Sequence, residues 1–249
     1  MKLKSLFILC FLFLNKTFAQ SLVKDSCISF PFFGIGIGAH MPGGDMATRF
    51  GNDVVVHALF GIKTSKNFVF NAQGGFFFGN NVKENQMLAG LATSSGNVIG
   101  SDGRLAEVRF YERGWHVDVG FGKIFSVKKP NPNSGFIATI NAGFIQHKIR
   151  IENPGNTVYQ LNKEYRKGYD RLSNGVQLHE FIGFISFGNK KLVNYFVGFD
   201  LMQGFTEGRR SYQYDLMKAD DEKRVDLLFG IKAGWILPFY TKPDKFYYN

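Results

Sequence analysis

Cysteine is nearly missing from this chain: two in 249 residues, Cys10 and Cys27. Cys10 lies inside an N-terminal apolar run that export would remove, so only Cys27 would remain and an intrachain disulfide is excluded. Neither cysteine follows the small apolar residues that precede a lipidated cysteine. Proline is also scarce, at 7 residues. Beyond residue 19 no stretch approaches the roughly 18 apolar residues of a membrane-crossing helix. There is no spaced Cys/His set for a metal and no nucleophile elbow for a hydrolase. Gly34-Ile35-Gly36-Ile37-Gly38 lies within a strand pattern with no helix after it, which excludes a dinucleotide fingerprint. Repeats and low-complexity tracts are absent as well.

What is present begins at the N-terminus. Lys2 and Lys4 precede the apolar run Leu6–Leu14, and Thr17-Phe18-Ala19 supplies the small residues of a cleavage site before Gln20. This is the pattern of a secretory signal peptide, too short to span a bilayer. The chain is basic, with a formal charge of +10, and it stays basic once the leader is removed. Export argues against nucleic acid as the anionic partner and points to lipid headgroups or lipopolysaccharide phosphate.

Phenylalanine (28) and glycine (29) dominate the composition. Their distribution has period two, with large rings set against small residues, as a thin barrel wall requires. Phe33, Ile35, Ile37 and Ala39 face one way, with Gly34, Gly36, Gly38 and His40 behind them. The same alternation runs through 54–63, 68–78, 115–122, 136–143, 193–201 and 225–237, with a less regular stretch at 175–187. A slip near Phe144-Ile145 suggests a bulge. Glu84–Ala92 reads as a short helix whose Met87, Leu88 and Leu91 would cover the rim.

The connections alternate strictly. Ser65–Asn67, Ser126–Asn133 and Asn189–Lys191 are short, whereas Gly43–Asn52, Gly79–Ala106, Glu152–Asn174 and Glu207–Lys223 are long. The reading is an all-β fold: an eight-stranded antiparallel transmembrane up-and-down β-barrel with long external loops, short periplasmic turns and both termini periplasmic, in a bacterial outer membrane. Its divisions would be 1–19 signal peptide, 20–31 lead-in, 32–238 barrel and 239–249 an aromatic tail. A soluble barrel would turn its apolar face inward, and glycine cannot fill such a core.

The strand pattern turns His57, Lys63, His116, Asp118, Glu180, Asp200, Asp226 and Lys232 inward. In so narrow a barrel they are expected to form a mutually neutralising plug rather than a channel. His147 and His179, with Ser173 near them, flank the third long loop. Without an acid partner they make no case for catalysis, and no catalytic residue, cofactor or metal is expected. The third loop alternates base and ring: Tyr165, Arg166, Lys167, Tyr169 and Arg171 are candidate external contacts. The fourth loop's charges read as solvated and partly self-paired. Past Pro238, which stops the sheet, Phe239, Tyr240, Phe246, Tyr247 and Tyr248 form a candidate docking tail, joined by Lys128 and Lys129 of the longest short turn. The alternative is that these rings tuck under the barrel mouth.

Several stretches carry a resemblance: Pro42-Gly43-Gly44-Asp45-Met46, Phe144-Ile145-Gln146-His147-Lys148-Ile149-Arg150-Ile151, Lys167–Gly175, and the ending Gly234-Trp235-Ile236-Leu237-Pro238-Phe239-Tyr240 with Phe246-Tyr247-Tyr248. The chain resembles small outer-membrane barrels of the Bacteroidota, most of all PorG-like components of the type IX secretion system. The resemblance implies a structural role in secretion and gliding motility. Such a barrel would anchor a periplasmic ring of PorK/PorN or GldK/GldN type to the outer membrane. The alternatives are a stand-alone barrel whose external loops adhere or bind a ligand, and a lipid-modifying enzyme.

Overall fold

The computed structural model describes residues 26–127, 131–188 and 193–240. Eight strands form it: β1 (Phe30–Gly44), β2 (Asp53–Lys63), β3 (Phe68–Gly79), β4 (Arg109–Ser126), β5 (Gly135–Glu152), β6 (Ser173–Ser186), β7 (Tyr195–Gly208) and β8 (Lys223–Pro238). Each pairs antiparallel with its sequence neighbour, and β8 returns to β1, which closes the barrel. The expected up-and-down topology is met. The leader, Lys128, Lys129 and the tail from Thr241, with Phe246, Tyr247 and Tyr248, lie outside the described residues.

The outward face explains the closure. Ile35 and Ile37 on β1, Phe60 and Ile62 on β2, Phe70 and Phe76 on β3, Val119 and Phe121 on β4, and Phe199 on β7 all point away from the lumen and are exposed. A continuous apolar belt of this kind is stable only against hydrocarbon. No described helix is long and apolar enough to cross a membrane; the strands make the crossing. β4 and β5, at 18 residues each, exceed the roughly 9–11 that a crossing needs. They stand proud of the belt at the long-loop end and carry the loops with them.

The lumen differs from the expected mixture of glycine and isolated charges. It has three layers. At the short-turn end Phe30, Phe32, Phe181, Phe187, Phe196 and Ile236 form an apolar floor. At the long-loop end Phe50, Phe77, Ile145, Ile149, Met202 and Leu228 join Met87 and Leu88 of the second loop in an apolar lid. Polar groups occupy the middle. Large rings therefore face inward as well as outward, packing above and below the polar middle layer. Glycines make the room: a Cβ on Gly36 would lie 2.7 Å from His57 Nε2, and one on Gly75 2.6 Å from His116 Nε2. The expected bulge at Phe144-Ile145 is absent. β5 stays in register through Phe144↔Val117 and Ile145↔His116, and Ile145 is apolar because it enters the lid. The helix expected over 84–92 is present as a 3₁₀ turn, Asn85–Leu91.

Candidate functional site

The middle layer is one connected network. Asp200 on β7 is its hub, with Oδ1 accepting from Lys232 Nζ (2.7 Å) on β8 and facing His179 Nε2 (2.7 Å) on β6. Its Oδ2 lies 3.3 Å from His40 Nε2, and His40 Nδ1 is 2.9 Å from Asp53 Oδ1. Asp118 on β4 forms a second hub. His116 Nδ1 (2.9 Å) and His179 Nδ1 (3.1 Å) both meet its Oδ2. Gln73 (2.8 Å), Asn141 (2.7 Å) and Gln177 (3.1 Å) donate to it as well, the Gln73 amide also lying 3.1 Å from His179 Nδ1.

Acids and bases alternate through this layer. His40 and His179 each face a carboxylate oxygen from both ring nitrogens, and the Lys232 ammonium lies against Asp200 and 3.4 Å from His179 Nε2. Buried charges of opposite sign are thus set in contact with one another. His116, Asp118 and His179 also bring ligand atoms within 4.8 Å of one another, so they are the residues placed to hold a metal.

Of the expected lumen set, His116, Asp118, Asp200 and Lys232 do come together. His57 lines the lumen, with neither ring nitrogen hydrogen-bonded. Lys63 is buried at the floor instead, donating to Ile28 O, Thr64 O and Asn133 Oδ1. Asp226 sits nearer the lid, taking bonds from Thr206 and His147 Nε2 (2.8 Å). Glu180 was misplaced. Its neighbours His179 and Phe181 point inward, which leaves Glu180 on the membrane-facing wall, accepting from Gln203 (3.2 Å). The sequence reading also missed His179 as a network member, having placed it near the third loop. The outer lumen adds Glu112, wholly buried with neither oxygen hydrogen-bonded.

The cavity between floor and network, lined by Phe32, Asn71, Gln73 and Lys232, measures about 40 Å³, room for very few waters. Planar-bilayer recordings are therefore expected to show negligible conductance. Steady large openings would mean that the plug is not what it is taken to be.

Above the lid, four long loops are locked together by buried ion pairs. Arg49 of the first loop reaches Glu84 of the second (2.8 Å), Ser173 (3.1 Å) and Asp220 of the fourth (3.1 Å). Arg171 of the third also binds Glu84 (2.7 Å), and it forks onto Asp215 of the fourth (2.9 and 2.5 Å). Arg210 clamps Asp170 from the fourth loop to the third, and Arg224 holds Asp220. The fourth loop's charges are partly self-paired as expected, and Arg209, Asp221, Glu222 and Lys223 are exposed, whereas Arg210, Asp215 and Asp220 are tied to the other loops. Arg171 (5 % exposed) and Tyr169 are structural and not external contacts. Arg166 donates to Leu161 O of its own loop and to Ile151 O near the end of β5. Tyr165 and Lys167 remain exposed, Lys167 beside Glu164.

Sequence reasoning missed that rings of the fourth loop join Tyr165 and Tyr159 of the third, because the two loops are far apart in the chain. Tyr159 stacks toward Tyr165 (6.2 Å between centroids), Tyr165 toward Tyr214 (6.1 Å) and Tyr214 toward Tyr212 (5.7 Å), a strip of exposed tyrosines on a rigid base.

Burial alone would raise the Asp220 carboxyl, but hydrogen bonds and charge from Arg224 and Arg49 hold it below its ordinary 3.8. Its folded value is depressed, so its contribution is complete above the unfolded value and is lost as pH falls through the folded one. Protease protection of the loops should be level from neutrality down to about pH 4 and fall below that. Asp220→Asn should weaken protection at neutral pH and flatten its acid dependence; an unchanged profile would remove Asp220 from the lock.

Ser173 and His147 lie opposite each other in the β5–β6 ladder but bond elsewhere. Ser173 Oγ donates to Arg171 O and accepts from Arg49, and His147 meets Asp226.

Neither a family model nor a curated protein matches the chain. Among solved structures, Ail, the attachment invasion locus protein of Yersinia pestis, aligns over 84 % of this chain and 99 % of its own at 7 % identity and a TM-score of 0.46. Its complex with the heparin analogue sucrose octasulfate gives 8 % and 0.42 over the same shares. The N-terminal β-barrel domain of Pseudomonas aeruginosa OprF aligns over 82 % and 97 % at 9 % identity and 0.34. The likeness is one of barrel architecture; the strand register above is what defines this fold.

Proposed function

We propose that this is a non-catalytic, plugged barrel of a bacterial outer membrane, its long loops outside and both termini in the periplasm, whose loop platform binds an anionic glycan. The single observation behind this reading is the tyrosine strip on its ion-paired base. Ring faces suit sugar rings, and Lys163 and Lys167 beside them suit phosphate or sulfate groups. A surface already locked by buried pairs loses little freedom on binding.

The test uses refolded protein and phosphorylated or sulfated oligosaccharides, with lipopolysaccharide as one arm. Tyr159→Ala with Tyr165→Ala and Tyr214→Ala should cost about thirtyfold in affinity, a hot-spot-sized loss, with the barrel still heat-modifiable. Undiminished binding would overturn the reading. Orientation is tested separately: cysteine introduced at Lys163 should react with an impermeant reagent on whole cells, and cysteine at Lys66 should not.

A second reading keeps the PorG-like scaffold of a type IX secretion or gliding apparatus in the Bacteroidota, docked on a PorK/PorN or GldK/GldN type ring. What favours it is the short-turn end. Ile28 N and Lys63 meet Asn133, Cys27 meets Pro132 O, and Tyr240 bonds Gly188 O and packs on Phe30. Lead-in, turn and strand end thus make a solid underside. Detergent co-purification of a stable periplasmic partner would favour this role, and a lone barrel the first.

A further inference from the structure

We infer that the membrane wall around Glu180 and Gln203 is the contact at which a second copy of this chain packs, about a two-fold axis along the membrane normal. Glu180 lies mid-belt. On β6, Ile182 and Phe184 follow it toward the turns, and Leu178 and Val176 precede it toward the loops. Its direct cross-strand partners are Ile140 and Leu201. The other outward charges at the belt sit at its rims: Lys123 and Arg113 lie over the rings of Phe68 and Phe78, at the two ends of β3.

A carboxylate facing hydrocarbon is costly, and such groups mark functional contacts. Gln203 satisfies it only in part. The amide donates to one Glu180 oxygen at 3.2 Å. One amide N–H, the amide oxygen and the second carboxylate oxygen are left without a hydrogen bond among the described residues. The depth decides the occupant: lipid headgroups do not reach mid-belt, so a membrane-embedded protein surface must supply the missing bonds.

The patch carries both the free donor and the free acceptor. An isologous contact pairs position i with j and j with i, so each Gln203 amide can donate to the other copy's Glu180. Beside the pair, an open groove of about 560 Å³ crosses β6, β7, β8 and β1, lined by Ile182, Phe199, Ile231 and Ala39. Phe199, 74 % exposed, is a ring of the right size to enter the facing groove.

The experiment uses the full chain in native outer membranes with Cys27→Ser and one introduced cysteine. Under mild oxidation Leu201→Cys, beside the pair, should give a disulfide-linked dimer, and Val119→Cys on the opposite wall should not. Adding Glu180→Leu with Gln203→Leu should cut the dimer about tenfold while the folded, heat-modifiable band persists. Glu180→Gln, which keeps a donor and an acceptor, should retain it. Monomer in every case, equal crosslinking from both walls, or an adduct whose mass is that of a different protein would each overturn the proposal.

Discussion

Asp200→Ala is expected to lower the unfolding free energy of the barrel by roughly 3–5 kcal/mol, the cost of removing one partner from a buried charge cluster. The reason is the hub geometry. Lys232 Nζ, His179 Nε2 and His40 Nε2 all point at its two oxygens. Without the carboxylate, an ammonium and two ring nitrogens face one another in a space with little room for water. Replacing Lys232 alone by Met leaves Asp200 with its two imidazoles and should cost less. The double variant, Asp200→Asn with Lys232→Met, removes one charge of each sign and should recover much of the loss. Urea unfolding of refolded protein in micelles, followed by tryptophan fluorescence, measures all three. If the single and double variants are equally stable, Asp200 is not the hub and the account of the plug as paired charges fails.

The barrel was legible because period two is a strong signal and because short and long connections alternate. The apolar outward residues of β1, β2 and β8 stand where the alternation put them. What the alternation could not report was which side a polar residue joins when the stretch is irregular. Residues 175–187 looked ragged because Glu180 points to lipid and Phe181 to the floor, each against the local polarity. Asn141 illustrates a second limit. As an inward polar residue it looked replaceable by Ser at small cost, yet it donates to Asp118 and exchanges bonds with Asn71, so Asn141→Ser should cost more than the strand pattern suggests. The loop platform was hidden for a different reason. Arg49, Glu84, Arg171, Asp215 and Asp220 come from four loops, and only the closed barrel brings those loops to one end. From the sequence alone, Arg171 and Tyr169 had no visible partners and looked free for an outside ligand.

Val119→Arg is expected to cost about 2–4 kcal/mol, the penalty for a cation at mid-belt on a barrel wall. Val119 points outward on β4 with Ala72 and Ala142 directly across. No described acidic group lies on that wall within the belt, so the guanidinium would have to bend toward a headgroup region from the deepest point. Val119→Ala, which keeps the wall apolar, should cost well under half as much. The same arginine at Phe229 makes the comparison informative. Phe229 pairs with Leu201, and Leu201 with Glu180, so residues 229 and 180 lie two strands apart on one level, roughly 10 Å at ordinary strand spacing. An arginine there can extend to the Glu180 carboxylate and Phe229→Arg should be the milder variant, although it also gives up the ring that covers Gly43. Adding Glu180→Leu should remove that relief and bring Phe229→Arg to at least the cost of Val119→Arg. Heat-modifiability and urea midpoints of the four variants decide the matter. If Val119→Arg is harmless, the belt does not face hydrocarbon. If Phe229→Arg gains nothing from Glu180, that carboxylate does not lie where the register puts it.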